Sequence, residues 1–457
     1  MTEKESEKKL SLFDSTAIII GSMIGSGIFI VSADIAEKVQ TPGMLLLAWV
    51  VTGIITIFGA LSYGELAAAM PKAGGQYIYI KEAFGKLYGF LYGWTLFAVI
   101  QTGTIAAVAV AFAKFTGVFF PEISGENYVI LIGTFGISTQ QVLAILLIIF
   151  LSLYNFREVK AGAFLQNIFT VSKVVALILL ILLGFYFGFN GIGNWEHFSP
   201  AFPDVITLAT IGIFGAAMTG SLFSADAWNN ITFTAGEVKN PQRNLPLSLF
   251  IGTSSVIFLY LLANIAYLYI LPIAKIQSAE NDRVATLMME TILGNSGKYF
   301  MAAMIMISTF GCLNGCIFTA ARVYYAMAKD KMFLPPAAKL NKNNVPANSL
   351  VMQCVWSCLL CLTGTYGELL NYIMFAVLLF YILTISGLFV LRIKRPEMHR
   401  PYKAFGYPII PALYILLAGS VCINMLIYQT DYSLYGLLII LIGVPVYYIF
   451  KRKGFDA

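Results

Sequence analysis

Apolar residues run along this chain in twelve long blocks separated by short polar connections. They span approximately 12–36, 43–69, 84–114, 139–156, 161–188, 204–235, 246–271, 285–328, 348–364, 369–391, 408–428 and 432–450. A transmembrane helix needs about 20 predominantly apolar residues. Each block therefore reads as one crossing. Those that exceed this length imply tilt or extension beyond the bilayer. The fourth, ninth and twelfth blocks lie near the lower limit. The eighth is long enough to begin with an interfacial portion. The pattern predicts an all-α polytopic membrane protein with twelve transmembrane helices.

Two blocks carry glycines and polar residues where a membrane helix should be smooth. The first contains Gly21-Ser22-Met23-Ile24-Gly25-Ser26-Gly27. Each glycine weakens a helix by about 1 kcal/mol relative to alanine. The sixth contains Gly212, Gly215 and Gly220, then Ser221-Leu222-Phe223-Ser224-Ala225-Asp226-Ala227-Trp228-Asn229-Asn230. Unwound backbone at membrane depth is tolerated only where it lines a cavity or is buried in protein. Broken helices in corresponding positions of two halves mark the substrate site of a secondary transporter. Breaks in blocks one and six divide the chain into two five-helix units, 12–188 and 204–391. Helices 11 and 12 follow over 408–450, and tails occupy 1–11 and 451–457. Five is odd, so the second unit enters from the opposite face, as an inverted repeat.

Composition and charge sharpen this reading. The 457 residues are 59% hydrophobic and 11% charged, against about 25% charged in an ordinary soluble domain. With the N-terminus placed in the cytosol, 23 of the 29 basic residues fall on the cytosolic side and five outside. That bias is the positive-inside signature. It puts both termini in the cytosol, and the net charge of +6 needs no nucleic acid to explain it. The N-terminal MTEKESEKKLSLFD has no small-residue cleavage site of a signal peptide. The six cysteines all lie in apolar blocks and read as small packing residues rather than disulfides. With two histidines, both in loops, no metal centre is expected.

The breaks also carry a chemistry. A half-helix beginning near Gly27 presents free N–H groups and a partial positive charge, which suits a carboxylate. Carbonyls freed near Ile24 and after Phe223 suit an ammonium. A pocket holding both describes an α-amino acid. Lys173 is the one basic residue left at mid-membrane. A charge at that depth costs about 2.5–3.5 kcal/mol on insertion scales, so it needs partners or must lose its proton. Glu65, near the cytosolic end of the second block, reads as a solvated or gate-forming carboxylate. Gln101, Asn264 and Asn314 read as helix–helix glue.

The run GSMIGSGIF in the first helix, Pro71-Lys72-Ala73-Gly74-Gly75-Gln76-Tyr77 after the second and Glu237 to Pro246 after the sixth resemble the amino acid/polyamine/organocation (APC) superfamily. Phe310-Gly311-Cys312-Leu313-Asn314-Gly315 is similar to its L-amino acid transporter (LAT) branch, and within that branch to prokaryotic alanine/serine/cysteine exchangers. The resemblance implies a LeuT/APC-like fold, with a 5+5 inverted repeat, broken helices 1 and 6 and two extra C-terminal helices. It implies a substrate carboxylate held by N–H groups of Ser26 and Gly27, and an ammonium held by carbonyls of Met23, Phe223, Ser224 and Asp226. Phe223 would be the gate and Asn229 a pocket-edge residue, or else an interhelical bond. The Asp226 side chain would cap the second half-helix or touch substrate. Gly21, Gly25 and Gly27 would be the broken-helix glycines. Lys173 would stand where sodium-coupled relatives of this fold bind sodium, with Gly21, Ser22, Ser308 and Thr309 as candidate partners.

The implied function is a sodium-independent antiporter of small neutral L-amino acids such as alanine, serine and cysteine. It would work by alternating access in the plasma membrane, with no cofactor and as a single subunit. Animal members join a heavy subunit through a cysteine in the outer loop between helices three and four. Here that loop, about 115–138, has no cysteine, so no disulfide-linked heavy subunit is expected. A proton-coupled symporter with Lys173 or Glu65 titrating is the alternative. An enzyme would need convergent acid, base or metal groups inside the spans, and a channel repeated carbonyl or charge rings. Neither is evident.

Overall fold

The computed structural model describes residues 10–72, 74–132, 135–156, 159–343, 345–363 and 366–451. The expected tails therefore lie almost wholly outside the described residues, as does Arg157. The first block is two helices, α1 (Leu12–Met23) and α2 (Gly27–Val39), bent by 44° at the break. Ser11 opens α1 with a reciprocal capping box to Asp14. The second block is α3 (Pro42–Ala69). The third is preceded by α4 (Gln76–Phe84), set off by Gly85 at φ 97°. It continues as α5 (Lys86–Thr95), a π-turn over Leu96–Ile100, and α6 (Gln101–Thr116).

A two-stranded antiparallel hairpin, β1 (Tyr128–Ile132) and β2 (Phe135–Ser138), follows α6. It lies in the stretch of about 115–138 that the apolar pattern predicts as loop. Then come α7 (Thr139–Tyr154) and α8 (Val159–Phe187). The sixth block is α9 (Leu208–Ser224), which gives way after Ala225 to a 3-10 segment, Trp228–Glu237. Then follow α10 (Pro241–Ile270) and the short α11 (Ile273–Gln277). The eighth block divides at Gly294 into α12 (Val284–Leu293) and the 35-residue α13 (Asn295–Lys329). The remaining helices are α14 (Ala347–Cys361), α15 (Tyr366–Lys394), α16 (Ile409–Tyr428) and α17 (Thr430–Phe450).

Among the described residues nine helices are long and apolar enough to cross a bilayer, and ten if the bent α1–α2 pair is one span. α7 and α14, in the fourth and ninth blocks, are apolar but only 16 and 15 residues long. The twelfth block, α17, reaches 21 residues and passes. The chain is a polytopic α-helical membrane protein.

The broken elements lie at the centre. α1 packs on α10 and α8, and α2 packs on α9. Ile19, Ile24, Ile28 and Phe29 are fully buried, as the core face of a central helix must be. α16 and α17 keep large apolar side chains such as Leu416, Ile423 and Leu441 exposed, the expected face of a peripheral helix toward lipid. Of the three polar residues read as glue, two behave so. Asn264 accepts from Ser32 at 2.6 Å, and Asn314 accepts from Asn155 at 2.9 Å. Gln101 instead lines a cavity beside the second break.

Candidate functional site

The two breaks meet. Gly27 opens α2 directly against Ser224, the last residue of α9. A Cβ on Gly27 would overlap the Ser224 side chain and come within 3.0 Å of its Cα. Glycine at 27 is therefore required by close approach, not by backbone angle. The start of α2 supplies N–H groups that the helix does not satisfy internally, while at the end of α9 the Phe223 carbonyl accepts from the Asp226 N–H at 3.1 Å. Met23, Ser26, Ser224 and Asn229 are all buried, and Phe223 is half-buried. Gly25 faces Cys312 of α13, whose Sγ would lie 3.5 Å from an added Cβ.

Tyr260 of α10 binds the two broken ends together. Its hydroxyl lies 2.8 Å from the Met23 carbonyl and 3.1 Å from the Ser224 carbonyl. A phenol has one proton to donate, so it serves one of these carbonyls at a time. Sequence reasoning did not single out Tyr260. It is one tyrosine among 25, and no spacing links it to either break.

On the far side of the second break the chain turns at Ala227, with φ 66°. Ala227 takes the cap position of the 3-10 segment, without a side-chain cap bond. The Asp226 carboxylate accepts from the Tyr381 hydroxyl of α15 at 2.6 Å and from the backbone N–H of Ala227. Tyr63, Trp228 and Tyr381 pack ring to ring around it, with centroids 4.8–5.7 Å apart. Asn229 donates to Gln76 at 3.0 Å, and Gln76 donates to Thr384 at 3.1 Å. Gln76 owes its position to the two preceding glycines. Gly74 and Gly75 have φ 112° and 45°, and a Cβ on Gly75 would overlap Thr232. The motif after the second block thus carries an amide to the break. Asp226, Asn229, Gln76, Tyr92, Cys316 and Tyr381 line a cavity of about 40 Å³.

Lys173 is fully buried on α8, and its ammonium donates to the Gly21 carbonyl in the last turns of α1. Gly21 lets α8 approach, since a Cβ there would lie 2.6 Å from the Thr170 hydroxyl. The other candidate partners are placed differently. Ser22 makes no hydrogen bond to Lys173. Thr309 bonds the Ile305 and Met306 carbonyls of its own helix at 2.9 and 3.1 Å. The buried Ser308 hydroxyl has no hydrogen-bond partner among the described residues.

Glu65 departs from the solvated reading. It is buried, and its carboxylate takes Arg392 at 2.9 and 2.5 Å, Arg400 at 3.3 Å and the Ala404 N–H at 2.7 Å. This ties the end of α3 to α15 and to the loop entering α16. Leu10 and Val238 form an isolated parallel bridge. Leu10 donates to the Glu237 carbonyl at 3.0 Å and accepts from the Lys239 N–H at 2.8 Å.

Comparison with known proteins places this chain in a family. The family described as Amino acid permease matches residues 10–450. The mouse (Mus musculus) large neutral amino acids transporter small subunit 2 is 32% identical over 449 residues, covering 97% of this chain and 81% of that protein. The mouse b(0,+)-type amino acid transporter 1 is 30% identical over 452 residues, covering 98% and 89%. The mouse Asc-type amino acid transporter 1 is 31% identical over 447 residues, covering 97% and 81%. This chain belongs to the amino acid permease family, in the L-amino acid transporter branch of the APC superfamily, and is a transporter rather than an enzyme.

Proposed function

We propose that this protein is a sodium-independent antiporter of small neutral L-amino acids such as alanine, serine and cysteine, working by alternating access. The observation that carries the reading is the contact of Gly27 with Ser224. It brings the N–H end of one half-helix against the carbonyl end of another, so a carboxylate and an ammonium two bonds apart can each be met. The substrate carboxylate lies on N–H groups of Ser26 and Gly27. Its ammonium lies on carbonyls of Met23, Phe223, Ser224 and Asp226, in exchange for the Tyr260 hydroxyl. Phe223 closes over the occupied site.

Two features support small neutral side chains. The cavity beside the break holds about 40 Å³, room for about three waters at roughly 10–15 Å³ each. That fits a methyl, hydroxymethyl or thiomethyl group. The Asp226 carboxylate is already engaged by Tyr381, which leaves it poorly placed for a cationic side chain. Sodium independence rests on Lys173, whose ammonium occupies the Gly21 carbonyl that a cation would need.

The architecture of this reading is twelve crossings in a 5+5 inverted repeat, with α7 and α14 as short spans. Both termini are cytosolic, in the plasma membrane. The protein works as a single subunit without a disulfide-linked partner and without a cofactor. The test is uptake of labelled L-alanine into sodium-free proteoliposomes with and without internal L-serine. Uptake that requires internal serine supports exchange. Uptake into empty vesicles driven by an imposed proton gradient would replace it with the symporter.

A further inference from the structure

We propose that the groove between the start of α10, the end of α3 and the loop entering α16 binds one anionic phospholipid, with Arg243 pairing to its phosphate. The groove encloses about 750 Å³, within the roughly 300–1,000 Å³ of ligand sites. Its walls are mainly apolar, formed by Leu61, Pro246, Leu247, Phe250, Tyr402 and Phe405. Phe250 and Phe405 are 45% and 67% exposed. Arg243, on the first turn of α10, also lines the groove. Its guanidinium makes no hydrogen bond or ion pair with any described residue. Among the described residues no carboxylate lines the groove, and Glu65 close by is enclosed by Arg392 and Arg400. The lining therefore carries one unanswered positive charge beside an apolar wall.

The direction of the wall favours a lipid over a soluble anion. Phe250 and Phe258 lie eight residues apart on one face of α10, and both are exposed. Ile54 and Val50 continue the exposed apolar surface along α3. An acyl chain leaving the groove would follow this surface without meeting a charge. The inference rests on the orientation proposed above, which puts Arg243 in the inner leaflet, where anionic lipid gives the negative surface potential.

The site borders the Glu65 tie. Pro401, Tyr402 and Phe405 line the groove, while Ala404 between them donates its N–H to Glu65 at 2.7 Å. A bound lipid braces this loop against α3 and α10, and so favours the tied state of that face.

The full-length protein, purified with phosphatidylcholine and phosphatidylglycerol in equal amounts, gives the test by native mass spectrometry of retained lipid. Wild type should retain one phosphatidylglycerol in preference to phosphatidylcholine. Arg243→Gln should cut that occupancy about fivefold, the effect of one basic residue at an anionic surface, and Arg243→Lys should restore it. Phe250→Ala, which leaves the charge intact, should also lower it. Equal retention by wild type and Arg243→Gln would overturn the proposal, as would displacement of the lipid by soluble glycerol phosphate. Exchange in vesicles separates this from the transport reading. Exchange with retention insensitive to Arg243 removes only the lipid site. Retention that depends on Arg243, without exchange in any lipid, removes only the exchange assignment.

Discussion

Tyr260, in the middle of α10, holds its hydroxyl 2.8 Å from the carbonyl of Met23, the last residue of α1. The same hydroxyl reaches Ser224 at the end of α9. One side chain thus stands between the two carbonyl ends that a substrate ammonium would join. Tyr260→Phe keeps the ring, which packs edge-on against Trp49, and removes only the donor. Leaving a buried carbonyl unpaired costs about 1–3 kcal/mol. The variant should fold and insert normally and, because that penalty falls on the empty site and the ammonium no longer has to displace the hydroxyl, lower KM for L-alanine roughly fivefold or more. Exchange kinetics in proteoliposomes check this, and unchanged KM and rate would remove Tyr260 from the site.

Lys173→Ala should weaken exchange about tenfold or more at unchanged expression, because hydrogen bonds to charged groups contribute about 1.5–3 kcal/mol. The ammonium fixes the Gly21 carbonyl from α8, so its loss frees the end of α1. Wild-type kinetics in this variant would contradict the built-in cation.

Gly27→Ala places a methyl group into Ser224. Overpacking of this kind costs about 1–3 kcal/mol, here at the substrate contact itself, so exchange should be lost. Ser224→Gly removes the side chain that the new methyl meets, and the double variant should recover part of the activity. The coupling in this double-mutant cycle is the readout. Strictly additive losses would mean that the two breaks do not touch in the working protein.

Glu65→Gln leaves two arginines without their carboxylate. Breaking a buried ion pair costs about 3–5 kcal/mol. Because side-chain exposures are 22% for Arg392 and 11% for Arg400, water should soften the loss toward the lower end. The expected result is a lower melting temperature in detergent. An unchanged melting curve would show that the tie is not structural.

Much of the central geometry could be read from the chain because it is written locally. Gly-Ser-x-x-Gly-Ser-Gly cannot continue as an ordinary membrane helix, and α1 and α2 separate there. Lys173 stood out because lipid leaves few reasons for a mid-span charge. What escaped the sequence was pairing at long range. Glu65 and Arg392 are 327 residues apart, and nothing in either segment names the other. Tyr260 lies in an apolar run where a tyrosine is unremarked. The hairpin of β1 and β2 was missed because each strand is only five or four residues long, too short to stand out beside the helical blocks.

The claim most open to direct test is that Lys173 replaces a sodium ion beside an amino-acid site formed by the broken helices. Binding of L-alanine to the purified protein should be measured by calorimetry in sodium chloride and in choline chloride of equal ionic strength. The account predicts one saturable site with the same affinity in both salts. Binding that appears only with sodium would contradict it.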